Sequence, residues 1–387
     1  MKDEKKAPKL RFKGFTDDWE QCKLGDVADR VTTKNKGMVS ELPLTISAQD
    51  GLISQDEFFN KKVASKDLSS YLLLHHGDFA YNKSYSNGYP FGTIKRLEKY
   101  PQGVVSSLYI AFKPNSSISS DFMAQYYESN NWHKEIYKCA AEGARNHGLL
   151  NIPPSDFFAT NLNIPITKSE QLKIGRLLNA VDHTFTLHEE KKCLLERLKS
   201  ALSQEMFANK NGYPAVRFEG FDKAWKQSKL GEITKVIAAK PYISTPSTHG
   251  NYLVIQQGDK PIAGFSNSNP FKNYNNITLF GDHTLSLFKP RSPFLVASDG
   301  IKILSPSIEM NGLFYFYELE KYKPKSEGYK RHFTILKKCK ANFPTDIDEQ
   351  KLIGSLLLRI DNLITKQQLK MDKLNETKES LLQNMFI

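Results

Sequence analysis

The sequence predicts an α+β protein: two tandem-repeat α/β modules separated by two long helices that form an antiparallel coiled coil, with pseudo-twofold symmetry. Three observations carry that expectation. The chain is written twice, and each copy ends in a proline-free stretch with a sustained apolar period of three and four. The stretch before it alternates β-branched and aromatic runs with Gly and Pro turns.

The duplication is visible in the opening segments. Residues 8–25 read PKLRFKGFTDDWEQCKLG and residues 214–231 read PAVRFEGFDKAWKQSKLG, an offset of 206. Later, Pro165, Gln171, Ile174-Gly175, Leu177-Leu178, Asp182 and Met206-Phe207 recur 179 positions on as Pro344, Gln350, Ile353-Gly354, Leu356-Leu357, Asp361 and Met385-Phe386. The offset shrinks by 27 between these anchors, so the first copy carries extra residues, expected in loops. Weaker matches bridge the middle: Gly77-Asp78 with Gly281-Asp282, Val104 and Ser106 with Val296 and Ser298, and 142–147 with 327–332. These divide the chain into a first module (1–166), a central helix (167–208), a second module (209–345) and a C-terminal helix (346–387).

Within the modules, Val104–Phe112 reads as strand and Ile118–Tyr137 as an internal helix. The repeated Arg-Phe-x-Gly-Phe…Trp opening reads as packing against its own module. For the long helices, Thr167-x-x-Glu170 and Asp346-x-x-Glu349 have the form of N-terminal capping signals. Alternating steps of four and three then pick out Ile174, Leu178, Val181, Phe185, Leu195 and Leu202 in one helix. The same steps give Ile353, Leu357, Ile360, Ile364, Leu374 and Leu381 in the other. Polar residues break both seams at matching places, His188 with Gln367 and Lys199 with Lys378. Polar seam positions fix register and partner at a cost in stability, so the two helices are expected to pair with each other.

Composition bounds the function. Lys plus Arg number 54 against 42 Asp plus Glu, a net +12, which points to a polyanionic partner. The helices are close to neutral, with seven basic against six acidic residues in 168–208 and six against six in 347–387. The excess therefore lies in the modules, which favours nucleic acid over a membrane surface, where basic charge gathers on a helix face. No apolar run approaches the ~18–20 residues of a membrane span. The N-terminus lacks the apolar core of a secretory signal, and the four Cys are scattered, so a reducing cytoplasmic setting is expected.

Two tracts are candidates for nucleic-acid contact. The first places Lys83, Ser84, Tyr85, Ser86, Asn87 and Tyr89 in a Gly/Pro loop that mixes a cation, hydroxyls, an amide and aromatics. The second is Arg145, Asn146 and His147, matched by Lys330, Arg331 and His332 beside a repeated Glu-Gly pair. The competing reading of both is polar surface turn or scaffold. No catalytic constellation is expected. A GxxxxGK[ST] phosphate loop is absent; Asn151-Ile152-Pro153-Pro154-Ser155 departs from an adenine-gripping tetrapeptide at Ile152 and Ser155; Lys192 replaces the second ligand of an HExxH helix. Glu349-Gln350-Lys351 sits in a helix's first turn, where capping explains it, and no metal-ligand cluster is spaced for binding.

These residues resemble a known family. The repeated Arg-Phe-x-Gly-Phe-x3-Trp-x3-Lys-Leu-Gly opening and the Ile164–Asp182 segment look like those of the specificity (S) subunit of type I restriction–modification systems, over essentially the whole chain. The second copy departs at Phe343, which replaces the Ile of Ile-Pro. The resemblance implies two target-recognition domains, each reading one half of a bipartite asymmetric site in double-stranded DNA. It implies docking of two methyltransferase (M) subunits and of restriction (R) subunits, and no membrane partner. No cofactor is expected in this subunit, with S-adenosylmethionine, ATP and Mg on the partner subunits. The alternative is a non-catalytic coiled-coil scaffold whose basic charge is incidental.

Overall fold

The computed structural model describes residues 6–61, 64–65, 67–84, 88–140, 150–209, 211–326, 328 and 331–387. The chain forms two compact units. One comprises Met1–Leu187 with Lys370–Ile387, the other His188–Leu369, so both boundaries fall inside the long helices. Each unit therefore holds one module and a stretch of both helices.

In the first unit a four-stranded antiparallel sheet runs in the order Ala28–Arg30, Ile110–Pro114, Phe79–Asn82, Thr93–Arg96. Its core is aromatic: Phe79 stacks on Phe112 at 5.2 Å, and Tyr81 on Phe157 at 5.0 Å. In the second unit the sheet Thr234–Ile237, Ile301–Pro306, Thr278–Gly281, Leu287–Phe288 has the same order. The registers agree: Ala28 lies opposite Pro114 and Thr234 opposite Pro306, while Phe79 lies opposite Phe112 and Thr278 opposite Leu304. This register makes Asn82-Lys83, not Gly77-Asp78, the counterpart of Gly281-Asp282, so that weak match does not hold. The two glycines also serve different ends. Gly77 turns the chain at φ +91°, whereas a Cβ on strand residue Gly281 would meet Gln257 Cβ at 2.8 Å. The Val104/Val296 match does fit the structure: each residue forms an isolated parallel bridge, Val104 with Pro43 and Val296 with Ile243.

Two sequence expectations are redrawn. Strand Gln102–Val105 is separated from Ile110–Pro114 by a turn in which Tyr109 N–H donates to the Ser106 carbonyl. The internal helix is two helices, Ser120–Glu128 and His133–Ala140, broken where the Ser129 hydroxyl donates to the Tyr126 carbonyl. Short hydroxyl and amide side chains compete in this way with the helical hydrogen-bond ladder. In the second module the matching helix is Gly312–Tyr322, and among the described residues nothing corresponds to His133–Ala140. Part of the first copy's extra length is thus a helix rather than loop.

The long helices span Lys168–Glu205 and Ile347–Met385. The predicted seam residues are buried or half-buried between exposed neighbours along both helices. They run antiparallel: within the first unit Lys378 Nζ meets Asp182 at 2.6 Å, and within the second Lys199 Nζ meets Asp361 at 2.9 Å. His188 Nδ1 and Gln367 Oε1 lie 2.7 Å apart, so the two matching polar interruptions bond to each other.

The repeated motifs lock each module to a helix start. Arg11 forms a two-pronged pair with Glu170 at 2.6 and 2.8 Å, and Arg217 does so with Glu349 at 2.8 and 2.9 Å. These glutamates therefore bind arginines instead of closing a capping box; Asp346 does cap, accepting from Asp348 and Glu349 N–H. The amide oxygens of Gln171 and Gln350 accept from Ser119 and Asn311 N–H, while their NH2 groups donate to the carbonyls of Pro165 and Pro344. The glycines that follow the first seam residues, Gly175 and Gly354, let each long helix touch its module helix. A Cβ on Gly175 would sit 2.8 Å from Phe122 N, and one on Gly354 would sit 2.9 Å from Phe314 N. Finally, Trp19 packs edge-on against Phe122 and Phe386, and Trp225 against Phe207 and Phe314. Each module's core is thus completed by the end of the helix that follows the other module in sequence.

Candidate nucleic-acid interface

In both modules the strand Phe79–Asn82 or Thr278–Gly281 leads into a loop, and the residue just past the strand holds the second predicted tract or its sequel. Lys83 is that residue in the first module. Its carbonyl accepts from Leu150 N–H at 3.0 Å and its ammonium donates to the Ile152 carbonyl at 3.2 Å. Burial lowers its pKa from the usual lysine value. The ammonium is therefore committed to a backbone carbonyl, and reaching a phosphate requires breaking that bond. Ser84 is half-buried, its N–H on Asn82 Oδ1 at 3.1 Å, while Tyr89 is 39% exposed. The loop closes at Gly92, φ +76°, where a Cβ would collide with the Asn82 carbonyl at 2.2 Å. Tyr85, Ser86, Asn87, Arg145, Asn146 and His147 lie outside the described residues.

Asp282 is the equivalent residue in the second module. Its carbonyl accepts from His332 N–H at 2.8 Å and its carboxylate from Phe333 N–H at 2.8 Å. The predicted tract splits here. Lys330 lies outside the described residues, Arg331 is exposed, and His332 is fully buried, with Nδ1 3.1 Å from the Asp282 carbonyl. His332 directly precedes the helix Phe333–Leu336, as Pro153 precedes Pro154–Phe158 in the first module. It therefore corresponds to Pro153 rather than His147, and its ring holds the loop in place instead of facing solvent.

A second set of residues around this loop carries no sequence signal of its own. Gln257 Oε1 accepts from His283 N–H, and the Ser286 hydroxyl accepts from Gly258 N–H. Asp282 N–H donates to the Gly300 carbonyl, and a Cβ on Gly300 would lie 2.9 Å from Gln257 Nε2. Three loops thus converge on one glutamine amide, beside Lys302, whose ammonium is 3.7 Å from Asp282. The only available hint was Gly281 and Gly300, small where chains must approach closely. Among the described residues no His, Cys, Asp and Glu group is arranged to hold a metal ion, and no helix is long and apolar enough to cross a membrane.

Each unit carries the same sheet order, the same Arg–Glu lock and the same Trp-centred packing, with different loops past the matching strand. Residues 222–374 match the family described as type I restriction modification DNA specificity domain. The chain is 22% identical, over 98% of its length and 95% of the relative's, to a putative type I restriction enzyme MjaX specificity subunit of Methanocaldococcus jannaschii. It shares its fold with the crystal structure of a type-I restriction-modification system S subunit from M. genitalium. There the TM-score is 0.65 at 14% identity, covering 98% of this chain and 99% of that one. In its second module and over its whole length the chain is thus similar to type I restriction–modification specificity subunits.

Proposed function

We propose that the chain reads a bipartite, asymmetric site in double-stranded DNA, one half per module, as the specificity subunit of a complex with methyltransferase and restriction subunits. The observation that carries this reading is the contrast between scaffold and loops. The sheets, the Arg–Glu locks and the Trp-centred cores repeat, while the loops past Asn82 and Gly281 differ in length and residues. A repeated frame with unlike edges suits two unlike half-sites. The charge agrees, since nearly all of the +12 lies in the modules, where it neutralises phosphates. The helices, nearly neutral, are the surface on which two methyltransferase subunits dock, and restriction subunits join that core. S-adenosylmethionine then belongs to the methyltransferase, ATP and Mg to the restriction subunits.

Methylome sequencing of cells with and without the gene tests the reading. The expected result is one asymmetric two-part adenine-methylation motif that vanishes with the gene. An unchanged methylome in cells that express the partner subunits overturns it in favour of a scaffold.

A further inference from the structure

Three chain segments meet in each unit at a half-buried polar cluster that the recognition loops do not use. In the second unit the module helix Gly312–Tyr322 presents Tyr317, whose hydroxyl donates to Asp361 Oδ2 at 2.7 Å. Asp361 Oδ1 is 2.9 Å from Lys199 Nζ, which also reaches Glu320 at 3.1 Å and lies 5.5 Å above the Tyr317 ring. In the first unit the module helix Ser120–Glu128 presents Gln125. Its NH2 donates to Asp182 Oδ2 at 2.9 Å and to Asn179 Oδ1 at 2.8 Å, while Asp182 Oδ1 meets Lys378 Nζ at 2.6 Å. The parts correspond: an aspartate from the helix that follows the module, a lysine from the other long helix, and a side chain from the module helix.

We propose that Asp182 with Lys378, and Asp361 with Lys199, are positioning residues that fix the direction in which each module leaves its helix pair, and thereby the number of base pairs between the two half-sites. This rests on the bipartite reading above. Apolar packing is non-directional, so Leu178 or Leu357 alone permits a module helix to slide along or pivot on the seam. A charged pair with further hydrogen bonds is directional, and a one-turn slip leaves a half-buried charge without its partner. Burial lowers the pKa of Lys199, but Glu320 and Asp361 more than offset this and raise it, so the ammonium stays charged at physiological pH. The clamps differ in strength. Glu320 joins Lys199, whereas Glu128, its counterpart at the end of the module helix, binds Lys95 at 2.6 Å. The second module is accordingly held more firmly.

The test uses the full chain assembled with its methyltransferase and a DNA library with both half-sites fixed and the gap varied over about one helical turn, roughly 10 base pairs. Wild type is expected to methylate one gap length. Lys199→Met with Lys378→Met is expected to spread methylation over several gaps with both half-site sequences unchanged, and the Lys→Arg pair to retain the single gap. A Lys→Met complex with the wild-type gap overturns the clamp alone. If the methionine variant does not assemble, Lys378→Asp with Asp182→Lys decides: restoring the single gap lost in Lys378→Asp supports the clamp, and failing to restore it overturns the clamp. Wild type that methylates either half-site alone overturns the bipartite reading, and the clamp with it.

Discussion

Replacing Arg217 with methionine isolates the lock that the repeated opening motif builds. Glu349 is 1% exposed and receives both prongs of the guanidinium, at 2.8 and 2.9 Å, plus the Trp225 indole N–H at 3.2 Å. Without Arg217 the carboxylate keeps only the indole and stays buried. Losing an ordinary neutral hydrogen bond costs about 0.5–1.5 kcal/mol, whereas stranding one partner of a buried ion pair costs about 3–5 kcal/mol. The geometry belongs to the second case, so Arg217→Met should destabilise its unit by about 3 kcal/mol or more. Adding Glu349→Met should recover most of that loss, because an apolar pair leaves no buried charge. Arg11→Met should cost at least as much. The Trp19 indole N–H has no hydrogen-bond partner among the described residues, so Glu170 lacks the donor that Glu349 retains. Urea unfolding followed by tryptophan fluorescence measures these differences, with Trp225 reporting on the second unit and Trp19 on the first. A cost below about 1 kcal/mol for Arg217→Met, or a double variant as unstable as the single one, refutes the reasoning.

Further outcomes follow from the same contacts. Gly175→Ala places a Cβ 2.7 Å from Asp121 Cβ and 2.8 Å from Phe122 N; overpacking of about 1–3 kcal/mol should exceed the helix-propensity gain of about 1 kcal/mol. A thermal midpoint that rises contradicts this. Glu318 is fully buried with neither carboxylate oxygen hydrogen-bonded among the described residues, and burial raises its pKa well above the usual carboxylate range. The folded state then holds a proton that the unfolded state releases. Stability should fall as pH rises from the ordinary carboxylate range through the folded-state pKa, by up to about 1.4 kcal/mol per pH unit. Glu318→Met should flatten that slope, and an unchanged profile in denaturation midpoints refutes the assignment. Arg331→Ala should weaken DNA binding by the complex and lower its salt slope by about 0.9, whereas His332→Ala should lower the melting temperature first. Binding titrations at several salt concentrations, paired with melts, separate the two, and the opposite pattern refutes the placement of these side chains.

The long helices were legible because their signal is periodic: a 3–4 spacing repeated at a constant offset survives divergence of individual residues. Lys199 and Lys378 stood out as breaks in that period, but their partners Asp361 and Asp182 lie on the opposing helix, where no local spacing points to them. The Arg-Phe-x-Gly-Phe opening was readable as packing, yet its partners are the glutamates that local rules assign to capping. A carboxylate in a helix's first turn serves either role, and only the arginine's arrival decides. The Gly77-Asp78 match failed because Gly-Asp is common turn chemistry that recurs without common origin, and sheet register was needed to expose it. The internal helix was drawn too long because Ser129 breaks it through a side-chain bond that periodicity does not register. The candidate interface was the least legible part. Lys83 and His332 have the residue types expected of DNA contacts, but one ammonium is tied to a carbonyl and one imidazole is buried. Gln257, which gathers three loops, sits in no motif at all.

The central claim is that each module reads its own half of the target on a common frame. Exchanging residues 209–345 for the corresponding module of another specificity subunit, leaving both long helices intact, tests it most directly, with methylome sequencing as the readout. The account predicts a new two-part motif in which one half and the gap are unchanged and the other half takes the donor's sequence. A folded, assembled chimera in which both halves change, or neither does, would contradict it.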